Sequence, residues 1–143
     1  MRVEECTMLD VPLLTVMNKR LIEDEGSSNA MSLRELDERM RGFLAEDYKA
    51  YLFISEADVV GYALVRHGTD PLYLRQFYIE REHRRMHIGE QAFGLLMEHL
   101  DTAEIAADVL PHNGAGRAFR KSRGFKETYV KENYISMRYQ NKQ

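Results

Sequence analysis

The sequence predicts an α+β protein, a mixed and mostly antiparallel sheet of about seven strands with four helices, in the order β-α-α-β-β-β-α-β-α-β-β. Three observations point there. The apolar period switches between helical and extended along the chain, β-prone runs follow one another across hairpin-length loops, and one strand-helix-strand segment supplies a crossover between strands. At 143 residues, 44% hydrophobic and 30% charged, the chain is long enough for one apolar core, and a single domain is expected over residues 1–143.

Each element has its own warrant. Residues 2–7 form a short strand, after which Asp10 and Pro12 stand where an N-cap and a first-turn proline open a helix. That helix runs to about residue 22, with Leu13, Leu14, Met17 and Leu21 on one face. Gly26 and two serines break it, and Ser32 followed by Glu35 has the spacing of a capping box. Leu33, Leu36, Met40, Phe43 and Leu44 then give a second helix its apolar stripe. Residues 50–55 and 59–66 are β-prone on either side of Glu56-Ala57-Asp58, a hairpin, and residues 72–79 are a third strand, rich in aromatic and β-branched side chains. Ile88, Phe93, Leu96, Met97 and Leu100 share a helical face. Residues 104–110 read as a buried strand, 111–114 as a turn, and 115–123 as a short helix stopped at Gly124. Residues 125–131 and 134–139 close the chain as a hairpin around Glu132-Asn133.

The net charge of −3 argues against broad nucleic-acid or membrane-surface binding, which need a basic excess. Cys6 is the only cysteine, so no intrachain disulfide forms, a cysteine zinc site is excluded and a reduced compartment fits. The N-terminus has no apolar signal region and no run approaches a membrane span, so a soluble, cytoplasmic protein is expected.

The informative stretch is residues 72–100, where a strand runs into Arg81-Glu82-His83-Arg84-Arg85-Met86-His87-Ile88-Gly89 and a helix begins at once. Five of the seven residues from 81 to 87 are Arg or His. A strand, a tight loop and a helix N-terminus present unpaired N–H groups and the positive end of the helix dipole to one point, and arginines add forks suited to phosphate oxygens. A phosphorylated ligand is implied. Neither the Gly-x-x-x-x-Gly-Lys-Ser/Thr nor the Gly-x-Gly-x-x-Gly pattern occurs, so nucleotide hydrolysis and dinucleotide redox have no motif. His83 and His87 have the spacing of helical metal ligands, but no third ligand is identifiable and no metal is expected.

Here the sequence resembles the GNAT N-acetyltransferases. Arg84-Arg85-Met86-His87-Ile88-Gly89 matches their Gln/Arg-x-x-Gly-x-Gly/Ala pyrophosphate loop at its first and last positions, with His87 in place of the middle glycine. Val109, Asn113, Phe119 and Gly124-Phe125 follow in the order of that family's later strand, Asn, short helix and Gly-Phe. The resemblance implies the GNAT acyl-coenzyme A N-acyltransferase fold over essentially the whole chain. It implies that Arg84, Arg85, Met86, His87, Ile88 and Gly89 hold the pyrophosphate of acetyl-coenzyme A, that the backbone of Phe77 and Ile79 pins its pantetheine arm, and that Asn113 orders the cofactor. Arg117, Arg120, Lys121 and Arg123 form a basic helix face, of which Arg120 is carried forward as a cofactor contact.

Arg120 occupies the place of the family's thiolate-protonating tyrosine, and Tyr134 or Tyr129 is the substitute on the last hairpin. Tyr73 falls where family members carry a strand-borne base. Arg75, on the same face as Tyr73, could hold a substrate carboxylate, while Glu23-Asp24-Glu25 could attract a cationic amine or pair with Arg75. Asp108 reads as a partner for a basic neighbour. The resulting expectation is direct transfer of an acetyl group to a primary amine of a small molecule or peptide, by a protein for which a homodimer is compatible. A second reading is an acyl-coenzyme A-binding regulatory module of the same fold, motivated by His87 and Arg120. A nucleic-acid-binding domain using residues 81–87 is the third, disfavoured by the acidic net charge.

Overall fold

The chain forms strands β1 (Arg2–Glu5), β2 (Tyr48–Ser55), β3 (Asp58–Arg66), β4 (Leu72–Ile79), β5 (Glu104–Val109), β6 (Lys126–Val130) and β7 (Ile135–Gln140). Its helices are α1 (Val11–Asp24), α2 (Leu33–Ala45), α3 (Ile88–Leu100) and α4 (Gly114–Ser122). In the computed structural model, described over residues 1–109, 113–130 and 134–140, the strands make a seven-stranded sheet in the order β1-β2-β3-β4-β5-β7-β6. β4 and β5 run parallel, joined by α3, and every other neighbouring pair is antiparallel. This is the α+β sheet that the sequence predicts. The turns expected around Pro111-His112 and Glu132-Asn133 lie outside the described residues.

Two apolar layers sandwich the sheet. On one face Val11, Leu14 and Met17 of α1 and Met40 of α2 pack on Leu52, Tyr62, Leu64 and Tyr78. On the other, Ala92, Phe93, Leu96 and Met97 of α3 pack on Phe53, Val65, Leu74, Ile105 and Met137. β2 and β3 therefore alternate between two buried layers, which is why they read as nearly continuous apolar runs.

Local signals explain most boundaries. Ser32 and Glu35 form the expected capping box of α2. At α1 the entry differs from the expectation: Asp10 makes no side-chain cap for α1, because its carboxylate accepts from the Thr7 N–H in a capping box that opens a 3-10 turn over Met8–Asp10. The buried face of α1 is also rotated. Leu13 is exposed, and Val11 and Ile22 are buried with Leu14 and Met17. Gly124 ends α4 with φ +94°, where only glycine is unstrained.

Candidate functional site

β4 is paired on both sides only at its start. Its ladder with β5 covers Leu72↔Ile105, Tyr73↔Ala106 and Leu74↔Ala107, and among the described residues it stops there. A bulge between the Leu64 and Val65 rungs of the β3–β4 ladder leaves Arg75 without an opposite residue, just where β4 turns away. Beyond it β4 stays bonded to β3 alone. The phase of that ladder is set by the bond from the Glu80 N–H to the Val60 carbonyl, 2.8 Å. Since hydrogen-bonded and non-bonded rungs alternate in an antiparallel pair, Ile79 opposite Gly61 and Phe77 opposite Ala63 occupy non-bonded rungs. Their N–H and C=O groups point away from β3, across the gap toward β5. A cleft of about 450 Å³ lies along this edge.

At one end of the cleft is the basic segment. Residues Arg81–Met86 wind into a 3-10 helix, not an open loop, and His87 then takes the left-handed conformation at φ 57° before α3 starts at Ile88. A left-handed residue between two helices turns the chain sharply, the role that a glycine would fill at no steric cost. His87 makes no side-chain cap, so the amides of the first turn of α3 are without intrahelical or capping partners, and His87, Gly89 and Glu90 line the cleft. Gly89 has a packing reason: a Cβ there would meet the Phe119 ring at 2.9 Å. Phe119 in turn stacks on Phe77 with ring centroids 5.6 Å apart, forming one wall.

The arginines of this end are already engaged. Arg84 Nε donates to the Ile79 carbonyl at 2.8 Å, and its Nη2 bonds Asp24 Oδ2. Arg81 bonds Asp24 Oδ1 through Nε at 3.1 Å and Nη2 at 2.5 Å. Burial alone would raise the Asp24 carboxyl, but the hydrogen bonds from Arg84 and Arg81 outweigh it and hold it below its ordinary value. The acidic run at the end of α1 thus pairs with Arg81 and Arg84, not with Arg75. Arg84 still lines the cleft, and a guanidinium with five donors keeps some in hand after these bonds. The Arg85 side chain lies outside the described residues. Met86 is 75% exposed, and Ile88 packs against the core beneath α3.

At the other end the fork closes. Tyr73 Oη of β4 donates to Asp108 Oδ2 of β5 at 2.9 Å, and Ser136 Oγ of β7 donates to Asp108 Oδ1 at 2.9 Å. Asp108 therefore takes hydroxyl partners, where the sequence suggested a basic one. Burial, and then Asp108, raise the Tyr73 phenol far above its usual range, so it is a neutral donor at pH 7. Arg120 of α4 lines the cleft, and its buried Nε has no hydrogen-bond partner among the described residues. Desolvation lowers its pKa, Glu25, Tyr73 and Asp108 act in the opposite sense, and it stays a cation at neutral pH.

The other candidates fall elsewhere. The Arg75 guanidinium is exposed and stacks over the rings of Phe43 at 4.7 Å and Tyr48 at 6.0 Å, a partner that the sequence did not reveal. Glu23 is exposed and borders a separate depression with Arg20, Tyr78 and Glu80, whereas Asp24 and Glu25 face the main cleft. Asn113 lines the cleft but also caps α4, accepting from the Gly116 N–H at 2.9 Å. Tyr134 is half-buried just before β7. Of the remaining basic residues of α4, Arg117 and Lys121 pair with Glu127, and Arg123 pairs with Glu90 at 2.9 Å. Asp24 and Glu90 are the contributors that sequence reasoning missed as individuals. An acidic group at the C-terminal end of a helix signals a compensating cation, yet does not say which one.

The fold matches that of known proteins. The family model described as Acetyltransferase (GNAT) family matches residues 17–125. No curated protein matches the chain by sequence. Among solved structures, an acetyltransferase from Thermus thermophilus superposes with TM-score 0.77 at 20% identity, covering 97% of this chain and 96% of that one. The ribosomal-protein-S18-alanine N-acetyltransferase of Escherichia coli gives 0.74 at 16% identity, over 96% and 92% of the two chains. The PaiA N-acetyltransferase of Thermoplasma acidophilum, solved in complex with coenzyme A, gives 0.71 at 16% identity, over 98% and 99%. At these identities the likeness is one of fold.

Proposed function

The chain belongs to the acetyltransferase (GNAT) family, and from that premise we propose that it moves an acetyl group from acetyl-coenzyme A directly to a primary amine. One observation carries this reading: a helix N-terminus without a side-chain cap opens onto a strand edge whose Phe77 and Ile79 backbone groups have, among the described residues, no partner strand on that side. A diphosphate fits the first end, by amide donors and helix dipole, and an extended amide-bearing arm fits the second, by strand-like hydrogen bonds. The five β4 residues after Leu74 span about 17 Å at the usual strand rise, a length suited to such an arm.

In this reading the amides of residues 88–90 and Arg84 hold the diphosphate, with His87 setting the turn. Phe77 offers its N–H and C=O to the arm. At Ile79 the carbonyl is taken by Arg84, so the N–H is the group on offer. The stacked rings of Phe77 and Phe119 exclude water from one side. Acetyl-coenzyme A supplies an acyl carbon activated by its thioester, and the protein contributes placement and a donor for the developing oxyanion. Glu25 and Asp108 draw a cationic amine to the fork and provide carboxylates for its proton. Tyr73 holds Asp108 in place.

Arg120, a cation where a proton donor is expected, favours the second reading, a coenzyme A-binding module without turnover. Calorimetry with coenzyme A, followed by free-thiol release from acetyl-coenzyme A against polyamines, amino acids, aminoglycosides and peptide N-termini, separates the two. Binding with amine-dependent thiol release is expected. Binding without release by any amine would leave the module, and no binding would remove both.

A further inference from the structure

Arg120 is the one cleft-lining residue among those described with a buried guanidinium nitrogen that lacks any hydrogen-bond partner. Leaving a buried donor of a charged group unsatisfied is costly, so a bound anion there recovers energy that the folded chain alone does not. It lines the same cleft as Phe77 and Ile79 of β4 and Glu25 at the end of α1, and Asp108 of β5 and Tyr73 of β4 act on it electrostatically. Tyr73 and Asp108 are bonded to each other across the point where β4 and β5 separate. An arm laid along the open edge of β4 from the α3 terminus must end at this fork, because past it the edge is taken up by β5. The reactive end of the arm and Arg120 therefore meet.

In the transfer, the amine nitrogen bonds to the acyl carbon, the C–S bond breaks with its electron pair on sulfur, and the ammonium proton leaves to a carboxylate or water. We propose, resting on the acetyl-transfer reading, that Arg120 is a catalytic residue that stabilises the departing thiolate as an anion, by charge and hydrogen bonding and without giving up a proton. A guanidinium is suited to this and unsuited to acid catalysis, since it does not deprotonate in proteins. Glu25 and Asp108 oppose the effect by their own charge, and Asp108 is partly engaged by Tyr73 and Ser136. The remaining bonding capacity of Arg120 is thereby free for sulfur.

The test needs no knowledge of the amine. Calorimetric affinities for coenzyme A and for desulfo-coenzyme A, which lacks the sulfur, are compared from about pH 6 to about pH 9.5, across the ordinary thiol range. In the wild type, coenzyme A gains about tenfold over the desulfo compound as pH rises, the change that a one-unit fall in thiol pKa produces. Arg120→Met loses that pH-dependent gain, whatever its affinity at pH 6, and Arg120→Lys keeps most of it. Parallel curves for the two ligands in the wild type, or an undiminished gain in Arg120→Met, would overturn the proposal and leave the acetyl-transfer reading standing. Failure of the wild type to bind either ligand would overturn both. The wild-type curves decide even where a variant does not fold.

Discussion

The two ends of the cleft handle positive charge in opposite ways. At the α3 end, Arg81 and Arg84 converge on Asp24, and Arg123 on Glu90, so the cations are paired before any ligand arrives. On α4, Arg120 is half-buried, and its buried Nε has no hydrogen-bond partner among the described residues. The exposed end can exchange one set of partners for another at small cost, because exposed ion pairs contribute little. The buried end carries a desolvation penalty in the folded state, which only a ligand relieves. Recognition of a highly charged group suits the first, and stabilisation of a charge that forms during reaction suits the second.

Substitutions at the α3 end should sharpen this contrast. Arg84→Ala is expected to weaken coenzyme A binding about a hundredfold by calorimetry, roughly 2.7 kcal/mol, since it removes a phosphate donor and frees the Ile79 carbonyl and Asp24. Unchanged affinity would assign Arg84 to bracing alone. Gly89→Ala drives a methyl into Phe119 and is expected to destabilise the fold by about 1–2 kcal/mol, seen as a lower Tm.

The Asp24 carboxyl, depressed in the folded chain, contributes stability that is present above its ordinary value of 3.8 and is lost as pH falls below it. Acid titration of Asp24→Asn should therefore show a shallower loss of stability below that pH than the wild type; identical acid limbs would mean that the pair contributes nothing. The smallest effect is expected for Glu90→Gln. Removing a half-exposed carboxylate beside the diphosphate site should raise coenzyme A affinity about twofold to threefold at low salt, and the gain should vanish at high salt.

The same contrast explains what was legible in the sequence. The order of strands and helices follows from apolar period and caps, and the bounds of β4 follow from a run of aromatic and β-branched residues that ends where the basic run starts. The strained turn at His87 was legible because the residue stands at a position that suits glycine. Local pattern does not contain strand partners, so the point where β4 leaves β5 is not readable from it. Nor does it contain long-range pairing: Asp24 lies 60 residues from Arg84, and Asp108 finds hydroxyls 35 and 28 residues away. On α4, Arg120 stands out in the sequence only through the family's tyrosine position, and local pattern does not separate it from Arg117 and Lys121, which meet Glu127.

The central claim is that the open edge of β4 and the uncapped start of α3 form one binding surface for coenzyme A. Amide NMR of the protein titrated with coenzyme A tests it most directly. The largest shifts are expected at Phe77, Ile79 and residues 88–90, saturating together at one affinity. Shifts confined to other surfaces, or none at a concentration where acetyl transfer is sought, would contradict it.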